Sequence, residues 1–210
     1  TLLQATEHDA LRELARGLNL VGVIRRASGD FARAAAAMHG ALELHSDLGD
    51  RLRVGGTLNN LGMTAEARGD LAAAGRYYHE ALTIAREIKD PELELLALRH
   101  LGAVQARLGA AADGEAHLRQ ALRIAEAVGW PELAPIYCGL AEAHLAQADC
   151  IAALAAIQQA FDLAGTPPDR PALGLAWRLL GQIIARPAGH AAQRALPLQL
   201  PNPPPQIDAR

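Results

Sequence analysis

Apolar residues recur at steps of three and four along most of this chain. In one such segment, Leu58, Leu61 and Ala65 fall on a single helical face, with polar side chains between them. The pair Gly69-Asp70 then ends the segment, because glycine can take the left-handed conformation and aspartate can cap the next helix. The pattern therefore predicts amphipathic helices separated by short breaks.

Applied to the whole chain, this pattern predicts an all-α fold. The predicted helices cover 9–27, 31–47, 51–67, 71–88, 92–108, 112–127, 132–146, 150–164 and 170–185. Residues 1–8 are predicted to be the end of a preceding helix. No strand is predicted, because Val, Ile and Thr never cluster in alternating runs bounded by turns.

The chain also repeats itself. Leu61-Gly62 returns as Leu101-Gly102, 40 residues later, and Val21-Gly22 stands one period earlier. A fourth copy is recognisable one residue early at Leu140-Ala141, and a fifth begins at Leu180-Gly181. A period of this size predicts a solenoid of stacked units, whose usual role is to present a binding surface. The predicted repeats span about 15–54, 55–94, 95–133 and 134–173, followed by a capping helix over 174–186.

The small residues of the repeat carry a family resemblance. Gly62, Ala74 and Ala81 stand at the spacing of the tetratricopeptide repeat, which this chain resembles over residues 10–186. The usual repeat has about 34 residues. The longer form is similar to the subclass found in kinesin light chains, in Leu-Gly-Asn-type adaptors and in bacterial regulators. The resemblance implies a right-handed superhelix of antiparallel helix pairs over 1–186, with the first helix of each pair lining a concave groove.

If the groove is built in this way, its residues lie at fixed offsets from the glycine of each repeat. These offsets give a candidate peptide-groove set of Arg16, Asn19, Arg26, Asn59, Met63, Glu66, Arg99, Arg107, Glu142, Arg178, Gln182 and Arg186.

Two chemical features of this set point to a ligand. Asn19 and Asn59 are equivalent positions, and an amide can both donate to and accept from a peptide backbone. Arginine predominates over Glu66 and Glu142, and guanidinium groups bind carboxylates in a bidentate manner. The set therefore predicts a groove for an acidic peptide or a C-terminal carboxylate. The alternative is that the arginines are solvated or paired within the stack, as Arg107 with Glu66 would be.

Composition narrows the function further. Among 210 residues the formal net charge is -3, which gives no reason to expect direct binding of nucleic acid. No apolar run approaches the roughly 18 residues of a membrane span, and no signal peptide is visible, so we expect a cytoplasmic protein that binds no membrane. Cys138 and Cys150 are expected to be reduced, partly buried thiols. The helical start without Met suggests a fragment of a longer protein.

The proline-rich end departs from the repeat. Six of the twelve prolines lie between Pro187 and Pro205. Because proline lacks an amide hydrogen, residues 187–210 are predicted to be an extended or disordered tail that cannot continue the helical stack. The sharper alternative is that this tail docks on its own solenoid or on a proline-binding partner.

Sites for chemistry are sparse in the sequence. No metal-ligand spacing, phosphate-binding loop or nucleophile motif is present, so no enzyme activity, metal or cofactor is predicted. The leading interpretation is a non-catalytic protein–protein interaction module of a larger bacterial regulatory protein. One alternative is a segment that senses a ligand or peptide and switches an attached ATPase or transcriptional regulator. The other is a scaffold that forms homo-oligomers through its exposed terminal helix.

Overall fold

The computed structural model describes residues 2–164, 170–196 and 198, and within these ranges it is helical without strands. Its helices are α1 (Leu2–Ala27), α2 (Phe31–Asp47), α3 (Arg51–Ala67), α4 (Leu71–Ile88), α5 (Pro91–Arg107), α6 (Ala111–Val128), α7 (Ala134–Ala146), α8 (Cys150–Asp162), α9 (Arg170–Ile184) and α10 (Pro187–Ala195). The predicted all-α fold is confirmed. The predicted break before residue 9 is wrong, because residues 2–8 belong to α1.

The chain divides into two compact units, Thr1–Val128 and Gly129–Arg210, where the sequence predicted one repeat domain over 1–186. Unit one contains the helix pairs α1–α2, α3–α4 and α5–α6, and successive pairs pack through α2 on α3 and α4 on α5. Unit two contains α7 paired with α8, and α9 and α10 pack on them. The stacking of helix pairs within unit one is that of an α-solenoid. The repeat boundaries themselves stay a prediction.

Several of these helices are preceded by a glycine in the left-handed conformation and an aspartate N-cap, as the sequence predicts. Gly69 has a φ of 89°, a conformation that side chains disfavour. Asp70 follows it as the N-cap of α4 and accepts a hydrogen bond of 3.0 Å from the amide of Ala73. Asp50 and Asp90 cap α3 and α5 in the same way. Each cap satisfies an amide that the helix itself leaves without a partner.

Small residues set the distance between the paired helices of unit one. The ring of Tyr78 lies against Gly62, where a Cβ atom would clash with it. At the crossing of α5 and α6, a Cβ on Gly114 would lie 2.5 Å from the carbonyl oxygen of Gly102. Ala74 is fully buried at the equivalent point of the α3–α4 pair. The predicted role of glycine and alanine at the crossings thus has a direct steric basis.

The prediction that the chain becomes extended from residue 187 is wrong for residues 187–195, which form α10. Pro187 occupies the first turn, where a helix needs no amide hydrogen, so the proline favours the start of this helix. Gly189 approaches the carbonyl of Ile183 so closely that any side chain there would clash with it. The rest of the predicted tail lies outside the described residues, apart from Leu196 and Leu198.

Helix α10 changes the predicted apolar end of the stack. It packs on α8 and α9 within unit two. Leu179, Leu180 and Ile183 of α9 are buried, and Trp177 packs on Phe161 with ring centroids 5.0 Å apart. The apolar side chains Leu179, Leu180 and Ile183 of α9 are therefore covered within unit two.

Candidate functional site

The first helices of the pairs in unit one form a groove lined by both polar and apolar side chains. Helices α1 and α5 both contact α3, and a groove of about 500 Å³ crosses all three. Arg16 and Asn19 of α1, Arg53 and Asn60 of α3 and Glu92 of α5 line it. We call this cavity the α1–α3–α5 groove. Two of the candidate residues, Arg16 and Asn19, thus line a groove on the side of the solenoid that the family resemblance indicates.

The asparagines pair differently from the ladder expected of Asn19 and Asn59. The amide of Asn60 donates to the side-chain oxygen of Asn19 over 3.3 Å. Asn59 is 7% exposed, and its amide contacts the sulfur of Met63 at 3.9 Å. The expectation that Asn59 lines an open groove is therefore wrong, since the neighbouring position on α3 takes that place.

Four candidate residues of the same helices are linked by direct contacts or by their charge effects on Tyr78 and His100. Arg26 of α1, Glu66 of α3 and both Arg99 and Arg107 of α5 belong to this group, which we call the inner cluster. Arg107 donates to the Glu66 carboxylate over 2.6 Å, so the predicted pairing within the stack is confirmed for these two residues. Tyr78 of α4 donates to the other oxygen of Glu66 over 2.9 Å.

A buried histidine completes the inner cluster. His100 stacks on Tyr78 with ring centroids 5.0 Å apart and lies 3.0 Å from a guanidinium nitrogen of Arg99. Burial lowers the pKa of His100 to about 3, and the charges of Arg99 and Arg26 act in the same direction. The guanidinium can only donate, so Nε2 of His100 accepts and the ring is neutral. Burial also raises the pKa of Tyr78, and the nearby Glu66 carboxylate raises it further.

Because both rings are neutral, the charge of the inner cluster comes from its arginines and its glutamate. Arg107 forms an ion pair with Glu66, and the charges of Arg26 and Arg99 act on the rings of Tyr78 and His100. The candidate residues of the cluster are therefore three arginines and one glutamate.

The remaining candidate arginines have partners close to them. Arg16 pairs with Glu13 one turn away on α1. In unit two, Arg178 lies 3.9 Å from Glu142, and Arg186 donates to the carbonyl oxygen of Leu145 over 2.8 Å. Gln182 is exposed on α9. Arg16, Arg178 and Arg186 thus each have a partner within their own unit.

Several of these contacts join positions 41 residues apart. Asn19 bonds with Asn60, Glu66 with Arg107, and Leu145 with Arg186 at this same separation. The separation is one 40-residue period plus one position, so in these three contacts, between α1 and α3, between α3 and α5, and between α7 and the residues that follow α9, the partners meet with a shift of one residue. This shift explains why Asn60, rather than the equivalent position, faces Asn19.

Sequence reasoning missed several residues of the α1–α3–α5 groove, and one of them, His45, was missed because it comes from a second helix. His45 of α2 lines the groove, although it is only 2% exposed. Its Nδ1 atom is buried without a hydrogen-bond partner. Burial lowers the pKa of His45, Asp50 opposes this shift, and Arg53 and Arg16 add to it. The sequence did contain one signal for His45, because the next two repeats carry alanine, Ala85 and Ala125, at the equivalent positions.

Other kinds of site have little support. Across the described ranges no three His, Cys, Asp or Glu side chains come together in a way that could hold a metal ion. None of the helices within those ranges has the length and apolar character needed to cross a membrane. Cys138 and Cys150 are both buried and are not joined by a disulfide.

Comparisons with known proteins agree with this architecture. Residues 13–87 match the tetratricopeptide repeat family model. No curated protein matches the sequence. The apo form of RapI is similar in structure, with a TM-score of 0.71 and 15% identity over 88% of this chain, and the match spans 52% of RapI.

Two further structures are similar at low identity. BtubC (BKLC) from P. vanneervenii has a TM-score of 0.68 and 18% identity, covering 96% of this chain and 89% of its own. The TPR-like repeats assigned to a kinesin light chain of Podosopora anserina give 0.63 and 14%, covering 88% of this chain and 93% of theirs. These likenesses show that the fold is that of tetratricopeptide-repeat solenoids, and the family model itself matches residues 13–87.

Proposed function

We propose that this chain is a non-catalytic interaction module that binds an acidic peptide, or an acidic segment of a partner domain, along the inner face of α1, α3 and α5. The observation that carries the proposal is the inner cluster, in which Arg107 pairs with Glu66 and the charges of Arg26 and Arg99 act on the neighbouring rings of Tyr78 and His100. A peptide carboxylate there would form charge-assisted hydrogen bonds, which are about twice as strong as neutral ones.

The α1–α3–α5 groove extends this surface toward the N-terminal ends of the helices. Ten residues separate Arg16 from Arg26 on α1, which corresponds to about 15 Å along the helix. An extended peptide covers that distance with roughly five residues. Asn19 lies between these arginines on α1, and Asn60 of α3 is hydrogen-bonded to it. Their amide groups can form hydrogen bonds with a peptide backbone whatever its side chains are.

The wider context is part of the same proposal. The match to RapI spans about half of that protein, which is compatible with a repeat region that works within a longer chain. Alanine- and arginine-rich usage fits a bacterial origin. We therefore place the module in a larger bacterial regulatory protein of the cytoplasm, where binding in the groove would transmit a signal or recruit a partner.

Fluorescence polarisation with two labelled hexapeptides, one of glutamate and one of lysine, tests the proposal. The glutamate peptide is expected to bind more tightly. The variant Arg26→Gln should weaken that binding about tenfold, the effect of losing about 1.4 kcal/mol. Arg123→Gln, on the exposed side of α6, is the matched control for total charge and should bind like the parent protein. Equal affinity for both peptides, or equal behaviour of the two variants, would contradict the proposal.

A further inference from the structure

His45 is an unusual residue for its position in the repeat. The equivalent positions carry Ala85 and Ala125, both fully buried, so a small side chain is sufficient for the packing of the second helices there. His45 is 2% exposed, and burying its Nδ1 without a partner carries a cost that alanine would not have. The same side chain lines the α1–α3–α5 groove. A polar atom that the fold leaves unsatisfied beside a groove is suited to a ligand.

We propose that His45, Arg16 and Arg53 form an anchor for one carboxylate of the bound peptide, and that His45 takes up a proton when this carboxylate binds. The inference rests on the proposed function, and it adds a second acidic subsite to the inner cluster. Arg16 and Arg53 line the same groove as His45. Both lie near enough to His45 for their charges to act on its ring.

The charges around the groove select both the ligand group and its place. Arg16 stands on α1, where it also pairs with Glu13, and Arg53 stands on α3, so a peptide carboxylate attracted to the α1–α3 side would compete with Glu13 for Arg16. Asp90 and Glu92 line the α5 side and repel an anion there. Asp50, at the start of α3, is the only carboxylate among the charged groups that act on the His45 ring, and the two arginines oppose it. A peptide carboxylate between Arg16 and Arg53 would reverse this balance in favour of a protonated ring.

The sign of the pH dependence follows from this balance. Free His45 is neutral at pH 7, because burial and the two arginines lower its pKa. A bound carboxylate favours the charged form, and once the ring is protonated both nitrogens are donors, so that Nδ1 has a hydrogen for which the peptide carboxylate is the acceptor. The proton comes from solvent and stays on the ring while the peptide is bound. The pKa of His45 is therefore higher in the complex than in the free protein. Between these two pKa values, the affinity for the peptide should rise about tenfold for each pH unit by which the pH is lowered.

The test measures binding of the labelled glutamate hexapeptide from pH 8.0 to pH 5.5, where its own carboxylates stay ionised. Three forms are compared: the parent chain, His45→Ala and His39→Gln. His45→Ala places in α2 the residue that the next two repeats already carry at this point, so the fold accommodates it. His39→Gln removes an exposed histidine of the same helix and is the matched control. Proton uptake is read directly from the ring nitrogens of His45 by NMR.

The parent chain and His39→Gln are expected to bind about tenfold more tightly at pH 5.5 than at pH 8.0. His45→Ala should bind more weakly at pH 5.5 and show no pH dependence. If the parent affinity does not change with pH but still falls in Arg26→Gln, the anchor is refuted while the proposed function stands. If the parent chain binds the glutamate and lysine peptides equally, the proposed function fails and the anchor with it.

Discussion

Gly102 and Gly114 face each other where α5 crosses α6, and their backbones approach closely enough to make alanine costly. In Gly114→Ala, the new Cβ would lie 2.5 Å from the carbonyl oxygen of Gly102 and 3.0 Å from the amide nitrogen of Ala106. Both are backbone atoms, so relief requires the helices to move apart. Overpacking of this kind costs about 1–3 kcal/mol, whereas alanine inside a helix regains about 0.5–1 kcal/mol over glycine. We expect a net loss of about 1–2 kcal/mol.

Gly75→Ala in α4 is the matched control, because it makes the same chemical change in open space. Its nearest atom would be a methyl group of Val104 at 3.7 Å, an ordinary contact. Here only the helix preference remains, and the variant should gain about 0.5–1 kcal/mol. Thermal unfolding followed by circular dichroism should show Gly114→Ala melting about 3–6 °C lower and Gly75→Ala slightly higher than the parent. A Gly114→Ala protein as stable as Gly75→Ala would refute the steric reasoning.

Two further predictions concern the inner cluster. Tyr78→Phe removes the hydroxyl that donates to Glu66 and should lower the free energy of unfolding by about 1–2 kcal/mol, measured by urea denaturation; an unchanged midpoint would contradict it. The free energy of unfolding should also fall as the pH is lowered from about 6.5, because unfolded His100 binds a proton there while folded His100 does so only near pH 3. Urea denaturation at pH 7 and pH 5 should show a contribution of about 1.4 kcal/mol per pH unit from this residue, absent in His100→Gln.

The sequence predicts the elements of this fold well because each carries its own local signal. The spacing of Leu58 and Leu61 marks a helical face, and Gly69-Asp70 marks the break after it. The 40-residue period then assigns the small residues to helix crossings, where Gly62 receives the ring of Tyr78. These signals depend on the chain's own geometry and need no knowledge of how one repeat meets the next.

The candidate site could be predicted only in part because it depends on the contact between repeats. Equivalence by period selected Asn59, but the shift of one residue between first helices turns Asn60 toward Asn19. His45 could not be placed in the groove by offset, since the rule excludes second helices. The same limit applies to α10, where Pro187 was interpreted by its missing amide hydrogen, although a first turn does not need one.

The 41-residue separation of bonded partners has a consequence for how this chain can change over time. Two side-chain contacts between successive first helices of unit one, Asn19 with Asn60 and Glu66 with Arg107, are each encoded by one position in a repeat and by the following position in the next. A substitution at one of them leaves its partner unmatched in a different repeat. We therefore expect that, among related sequences, amino acids at positions n and n + 41 vary together, whereas those at n and n + 40 are alike. Duplicating or deleting a whole repeat would preserve this coupling, and inserting a single residue would break it.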